Sequence, residues 1–403
     1  MKPWMRTTLI AALSVPLLAV GLVTLLVVQE RSRWPTLEET PPVSGPDAPA
    51  PGDAKSWTAL QAVMGQVHEG EGLRGVLETT GAPPEAQRKG WRRDAQAIES
   101  AHQYLAEHEG LSLPVLAYDE ALPNMRPLLQ LTDAMLLKGW DLASRGEVTA
   151  GAVEMLQAAQ LGARLTHGDV DLIGAMIGLT IERRARTELA ELLQGPGRED
   201  PAAFDRAATL LPTAADGVVA RGVARECVAM DALYQQLTES PEIADELGDM
   251  PMGLSASGAY DPDITRVWNR MMCAEALQQL ATPPSRRQPV EPLGLWQDGF
   301  HLTQYLHNPV GRILISVSTP NFTIYAERAD VERARAAVLS TWIAARRYAL
   351  AHQGEHPRDL DTLVPKYLAS VPVDPMSGQK IQYDTAAVWS MGVSEEASLR
   401  LPL

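Results

Sequence analysis

Arg126–Gly168 reads RPLLQLTDAMLLKGWDLASRGEVTAGAVEMLQAAQLGARLTHG, and this stretch decides the architecture of the chain. Apolar residues recur at spacings of three and four in both halves, which predicts two amphipathic helices. Between them, Arg145-Gly146-Glu147 supplies a turn, with Gly146 just past the first helix, where a positive φ is common. We therefore predict an antiparallel helical hairpin.

Small residues occur in this hairpin at the positions where its helices would cross. The pattern comprises Gly139, Leu142, Gly146, Ala152, Met155 and Ala158. It resembles one tetratricopeptide (TPR) hairpin, although no second copy follows at the 34-residue period of an array. Because helical hairpins that stack in this way usually bind other chains, the resemblance implies protein partners of unknown identity.

Helical patterns continue on both sides of the hairpin, so we expect a mostly α-helical fold. They cover residues 57–68, 84–109, 169–193, 213–238, 262–280 and 326–352, and Asp200-Pro201 opens one more helix. The run Leu172–Ile181 is apolar on all sides, which predicts a buried helix. Its ten residues are too few to cross a bilayer. Gly174 and Gly178 therefore predict close packing against a neighbouring helix.

The C-terminal part changes pattern after the long predicted helix. Gly354 ends that helix, Pro357 begins a short one, and VPVDPMSG predicts a turn. Two short alternating runs at 379–384 and 387–391 then predict a β-hairpin. We expect residues 326–403 to form a long helix with a small α/β appendage.

The N-terminal part contains the uncharged stretch Thr7–Val28, TTLIAALSVPLLAVGLVTLLVV. As a helix it would be roughly 33 Å long, which matches the ~30 Å hydrocarbon core of a bilayer. We expect residues 1–34 to hold a transmembrane anchor, because no A-x-A pattern ends the stretch. A cleaved signal peptide is the alternative. The short arm before the stretch favours a cytoplasmic N-terminus.

Residues 35–56 are rich in Pro, Ala and Gly, which predicts a disordered linker that buries no core. The expected domains are therefore an anchor at 1–34, this linker, a helical domain at 57–325 and the C-terminal segment at 326–403. The predicted location is a bacterial inner membrane, crossed once, with the body on the periplasmic side.

The C-terminal segment is similar to the C-terminal half of the major pseudopilins of type II secretion. The positions that carry this resemblance are Pro372, Asp374, Pro375, Gly378, Tyr383, Ser390 and Gly392. With its anchor and helical middle, the chain resembles uncharacterised bacterial membrane-anchored proteins that share this tail. The pseudopilin leader and the Glu of its mature helix are absent, so fibre assembly by that route is not expected. Glu395 and Glu396 make a poor calcium site.

The chain has 403 residues and a formal net charge of −15. Residues 1–34 carry four Lys/Arg and one Glu, so the remainder carries −18. Such an acidic body is repelled by nucleic acid, which we exclude as a partner. The adjacent basic pairs, all expected to be solvated, are Arg92-Arg93, Arg286-Arg287 and Arg346-Arg347.

The two cysteines, Cys227 and Cys273, lie far apart in the sequence. We expect two buried thiols on separate helices. The alternative is a disulfide, which requires an oxidising compartment outside the cytoplasm.

Known catalytic and metal motifs are incomplete in this sequence. His352 and His356 are separated by Gly354 and do not share a helical face, and HExxH is absent. The stretch 253–258 lacks the second Gly of a nucleophile elbow, and Ser377 of an S-x-x-K match lies in a turn. We predict no catalytic, cofactor-binding or metal-binding residues and no cofactor.

The predicted function is that of a membrane-anchored envelope protein for protein–protein interaction or scaffolding, and an enzyme is the less favoured class. One alternative is an envelope hydrolase with a site near Ser255, under the Met-rich loop 248–263. The other is a component of a secretion or pilus-like apparatus, which the tail suggests.

Overall fold

The computed structural model describes residues 20, 22–43, 54–68, 83–113, 123–239, 260–288, 290, 307–318, 322–392 and 400–403. These residues are mostly helical and include a small antiparallel sheet of three strands near the C-terminus. The predicted mostly α fold with a small C-terminal sheet is thereby confirmed.

The chain forms two compact units, each described separately below. The first unit comprises Met1–Ser44, Cys227–Ala276 and Pro289–Asn321. The second unit comprises Gly45–Glu226, Leu277–Gln288 and Phe322–Leu403.

The described helices are numbered here in chain order. They are α1 (Ala54–Met64), α2 (Glu85–Arg88), α3 (Ala95–Glu107), α4 (Arg126–Ser144), α5 (Val148–Thr166), α6 (Leu172–Gln194), α7 (Pro201–Leu210), α8 (Val218–Glu239), α9 (Pro262–Ala281), α10 (Pro309–Ser318) and α11 (Phe322–Ala351). Short 3-10 helices cover Lys89–Asp94, Pro284–Arg286 and Leu360–Leu363. The strands are β1 (Gln382–Asp384), β2 (Ala387–Trp389) and β3 (Arg400–Pro402).

The predicted helical hairpin is confirmed as α4 and α5 of the second unit. Gly146 ends α4 with φ +85°, the left-handed conformation that the turn requires. The two helices touch through their backbones, since a Cβ on Gly151 would lie 2.5 Å from the carbonyl oxygen of Gly139. Only glycine permits this approach.

Helix α6 also packs on α5 through a close backbone approach at glycines, which confirms the predicted close packing of Gly178. A Cβ on Gly178 would lie 2.7 Å from Cβ of Leu165 and 2.9 Å from the carbonyl oxygen of Gly162. Asp171 begins α6 by accepting a hydrogen bond from the backbone N–H of Gly174. Asp200 caps α7 in the same manner, as its sequence predicts.

Within the second unit, helix α11 packs against α6 and α7 on one side and against β2 and β3. Trp342 is buried against Phe204 of α7, and its indole N–H donates to the carbonyl oxygen of Pro402 at 2.6 Å. Strand β2 pairs with β1 and with β3, both antiparallel. The predicted β-hairpin is confirmed as β1 and β2, whereas β3 was not predicted from the sequence.

The carboxylate of Asp374 holds the C-terminal turn together. It is fully buried and accepts hydrogen bonds from the backbone N–H groups of Met376 and Met391, at 2.9 and 3.0 Å. The hydroxyls of Ser377 and Ser390 also donate to it, at 3.0 and 2.8 Å. One buried charge therefore fixes two segments that lie 17 residues apart.

In the first unit, the expectation of two free thiols is wrong. Cys227 on α8 and Cys273 on α9 are both buried, as expected, but their sulfurs form a disulfide. The two cysteines lie on neighbouring helix faces that are both buried, and their Cα atoms are 6.1 Å apart. Sequence spacing alone does not reveal this distance.

The first unit also incorporates residues that directly follow the predicted membrane stretch. Glu30 lies at the end of the helical segment 22–31, and its carboxylate accepts a hydrogen bond at 2.9 Å from Arg312, which is only 1% exposed. Burial opposes ionisation of Glu30, but hydrogen bonds from Arg33 and Arg312 outweigh it and lower the pKa of this carboxyl. The pair therefore keeps its charges inside the fold.

Residues 35–43 do not behave as the predicted linker. Trp34 packs edge-on against the buried Trp268 at 5.6 Å, and Leu37 joins the same apolar cluster. The guanidinium of Arg270 donates to the carbonyl oxygens of Leu37 and Thr40. A composition rich in Pro, Ala and Gly predicted a tether, but the apolar contacts of Trp34 and Leu37 and the hydrogen bonds from Arg270 hold this segment in the first unit. We call residues 30–40 the N-terminal clamp.

The predicted span Thr7–Val28 lies largely outside the described residues. Among those described, no helix combines the length and the apolar character that crossing a bilayer requires.

Candidate functional site

A groove runs over α11 in the second unit and is the largest cavity that we describe, at about 550 Å³. We call it the α11 groove. Its walls come from the end of α7 with the segment after it, from α11, and from the tail. The lining residues include Ala207, Ala336, Ala337, Ser340, Tyr367 and Val373.

Small apolar side chains open this groove. Alanines from α7 and α11 leave space between the two helices, and Leu211, Leu368 and Val373 add larger apolar walls. Val373 is 59% exposed, so its aliphatic side chain is accessible at the groove. The groove can therefore accept apolar side chains from another molecule.

A recess of about 320 Å³ shares Arg333, Val373 and Pro375 with the α11 groove. Arg333 forms ion pairs with Asp216 at 2.7 Å and with Asp330 at 3.2 Å. Asp330 is also paired with Arg287 at 2.7 Å. The rim between groove and recess is thus charged but internally balanced.

One polar group in the groove wall is unsatisfied. The hydroxyl of Tyr367 is buried and has no hydrogen-bond partner among the described residues. The ring of Tyr367 is held between the ammonium of Lys366 and the guanidinium of Arg347, at 5.0 and 5.7 Å from its centroid.

The structure separates the residues of the sequence motifs. Ser377 donates to Asp374, and Lys380 pairs with Asp361 at 2.8 Å, so the S-x-x-K letters do not form a nucleophile with its base. His352 stacks on Tyr348 with ring centroids 3.9 Å apart. The stretch around Ser255, the loop near it, His301, Glu395 and Glu396 lie outside the described residues.

Two of the three basic pairs contain a buried arginine, so the expectation that all are solvated is wrong. Arg287 is buried in its ion pair with Asp330. Arg346 is buried and donates to the carbonyl oxygen of Arg198 at 2.9 Å. The guanidinium group lets each side chain bury its stem and still satisfy its charge.

Sequence reasoning missed two buried carboxyl groups of the second unit. Burial raises the pKa of Glu188 to about 7, against a hydrogen bond from the indole N–H of Trp140. Burial likewise raises the pKa of Glu332 to about 7, although nearby arginines oppose the shift. Within the described ranges, no cluster of three or more His, Cys, Asp or Glu side chains could hold a metal ion.

Comparison with known proteins identified no family model, no curated protein and no solved structure that matches this chain. The TPR-like and pseudopilin-like resemblances therefore stay predictions from the residues that carry them. The α11 groove is the surface on which a functional proposal can be built.

Proposed function

We propose that this chain is a single-pass envelope protein whose exported helical body binds a segment of a partner protein in the α11 groove. The observation that carries this proposal is the groove itself, with its alanine lining and its exposed Val373. A cavity of this size suits a few side chains of an extended segment.

The partner segment is apolar with a basic flank. The apolar part matches the lining of the groove, and the basic flank matches the charge of −18 that the body carries beyond residue 34. Complementary charge speeds the encounter and selects the partner, while the buried apolar contacts slow dissociation.

The N-terminal clamp argues against signal-peptide cleavage within residues 30–40. A signal-peptide cut between residues 30 and 40 would remove Glu30 or Trp34 from their buried partners Arg312 and Trp268. A buried ion pair that loses one partner costs about 3–5 kcal/mol. Folding of the first unit therefore disfavours a cut within the clamp.

The disulfide between Cys227 and Cys273 supports an exported body. Disulfides persist in the periplasm and at cell surfaces, whereas cytosolic thiols are kept reduced. This observation agrees with the orientation that the short N-terminal arm favours.

The experiment places a photo-crosslinking amino acid at Ala337 in the groove and, as a matched control, at Ala351 near the exposed end of the same helix. In intact cells, we expect Ala337 to give one defined protein adduct that Ala351 does not give. With the crosslinking amino acid placed at Tyr367 instead, the same adduct should form. Adding Ala337→Trp to that chain should abolish it. Equal labelling from both positions, or an adduct that Ala337→Trp leaves unchanged, would refute binding in the groove.

A component of a secretion or pilus-like apparatus is the second candidate. The convergence of Asp374 and Ser390 in one buried hydrogen-bond cluster favours it, because both positions belong to the pseudopilin resemblance. The test is to purify the crosslinked complex and identify the attached chain. An inner-membrane secretion protein supports this candidate, and any other partner excludes it.

A further inference from the structure

A third cavity of the second unit is lined by four arginines. It has a volume of about 360 Å³ and lies between α6, α11 and β3. Arg183 and Arg186 come from α6, Arg335 from α11 and Arg400 from β3. We call this cavity the arginine pocket. Its remaining wall is partly apolar, with Val338, Leu339 and Leu401.

The positive charge of the arginine pocket is only partly balanced by its neighbours. Arg186 is paired with Glu182, the guanidinium of Arg400 lies 3.6 Å from Asp384, and Nε of Arg335 lies 3.6 Å from Glu332. Glu191 also lines the cavity. Arg183 forms no ion pair with any residue in the part of the chain that the structure describes. In a chain of net charge −15, a cavity with four guanidinium groups is an exception.

Several buried polar atoms at the arginine pocket lack partners. Arg186 is 4% exposed, and its Nε has no hydrogen-bond partner within the described ranges. Nε of Arg335 also has no hydrogen-bond partner within the described ranges, and the nearest carboxylate oxygen of Glu332 lies 3.6 Å from it. Glu332 is 8% exposed, and its Oε2 likewise has no hydrogen-bond partner within the described ranges. A buried donor without an acceptor is costly, and more so if it is charged, so a ligand that accepts from these donors is favoured.

We propose that the arginine pocket binds a small oxyanion, a phosphate or a carboxylate that carries a small apolar group. The planar guanidinium presents two parallel N–H donors, which match two oxygens of one carboxylate or phosphate. The apolar wall gives room for the body of an organic anion, and the volume lies in the lower range of small-molecule sites. This site is independent of the α11 groove and of the membrane anchor.

Glu332, which lies beside Arg335, makes oxyanion binding in the arginine pocket depend on pH. The charged groups facing it are Arg183, Arg186 and Glu182 on α6 and Arg335 on its own helix. Because burial keeps a share of Glu332 protonated near pH 7, less negative charge beside Arg335 opposes a bound oxyanion at that pH than at higher pH. Binding should therefore weaken as the pH rises through about 7.

The experiment titrates the full-length detergent-solubilised chain with inorganic phosphate and, separately, with benzoate, using calorimetry and the thermal unfolding midpoint. Chloride at equal ionic strength is the control anion. We expect saturable binding of one of the two oxyanions with a raised midpoint. The arm that saturates tells an inorganic oxyanion from an organic one.

Variants make the assignment specific. Arg335→Gln should weaken binding by about tenfold or more, since it removes a charged donor, while Arg358→Gln, an exposed arginine outside the pocket, should leave it unchanged. Glu332→Gln should tighten binding at pH 8 and flatten its pH dependence. The proposal is overturned if neither oxyanion saturates, or if Arg335→Gln and Arg358→Gln bind equally while circular dichroism shows both folded.

Discussion

At the scale of single residues, Gly139 and Gly151 decide how closely α4 and α5 pack. We expect Gly151→Ala to lower the free energy of unfolding by about 1–3 kcal/mol, because its Cβ would meet the backbone oxygen of Gly139 at 2.5 Å. Urea denaturation followed by circular dichroism measures the change. Gly65→Ala is the matched control, since its Cβ would meet only ordinary contacts at 3.5 Å or more. Equal effects of both substitutions would contradict the close backbone approach.

Glu188 makes the stability of the second unit depend on pH. Burial raises its folded-state pKa to about 7, above the ordinary value of 4.5, so its contribution is complete below pH 4.5 and is lost as the pH rises through about 7. Glu188→Gln keeps the acceptor for Trp140 and removes the charge. Its stability advantage over the natural chain should grow by roughly 2 kcal/mol between pH 5 and pH 8.

Denaturant unfolding of both chains at the two pH values measures this difference. Glu199→Gln, which changes an exposed carboxylate, should show no such trend. A constant gap for Glu188→Gln would mean that this carboxyl ionises normally in the folded chain.

At the scale of elements, the disulfide joins α8 and α9 of the first unit across 46 residues. We expect Cys227→Ser combined with Cys273→Ser to cost about 2–4 kcal/mol, because the unfolded chain regains the freedom of that loop. A reductant should lower the free energy of unfolding of the natural chain by a similar amount and therefore lower its unfolding midpoint. It should leave the double variant unaffected. A midpoint that does not respond to reductant would show that the thiols are unpaired.

The turn around Asp374 depends on one buried carboxylate. Asp374→Ala leaves two backbone N–H groups and two hydroxyls without their acceptor, which should cost about 2–4 kcal/mol and expose residues 372–392 to protease. Asp361→Ala is the control, because that exposed carboxylate forms only a surface pair with Lys380. Equal protease resistance of the two variants would refute the structural role of Asp374.

At the scale of the whole molecule, the proposed anchor predicts how the chain fractionates. The full-length chain should stay in the membrane after carbonate extraction, since transfer of Thr7–Val28 into water exposes a long apolar helix. A reporter fused after Leu403 should be active only on the periplasmic side. A soluble mature chain that begins beyond Val28 would contradict the anchor, and a reporter active in the cytoplasm would reverse the orientation.

Local periodicity made several elements predictable. The α4–α5 hairpin, the cap at Asp200 and the β1–β2 hairpin follow from spacings of three, four and two, which depend only on neighbours in sequence. The candidate site was not predictable, because the α11 groove and the arginine pocket each combine residues from at least three distant segments.

The sequence by itself determined the helical class, the close packing of Gly178, the acidic charge and the small C-terminal sheet, because each depends on composition or on local pattern. Only the tertiary structure decided that Cys227 and Cys273 pair and that residues 30–40 pack into a core. It also brought four arginines to one cavity. These features depend on which faces of distant helices meet, and that is settled by packing over long separations in sequence.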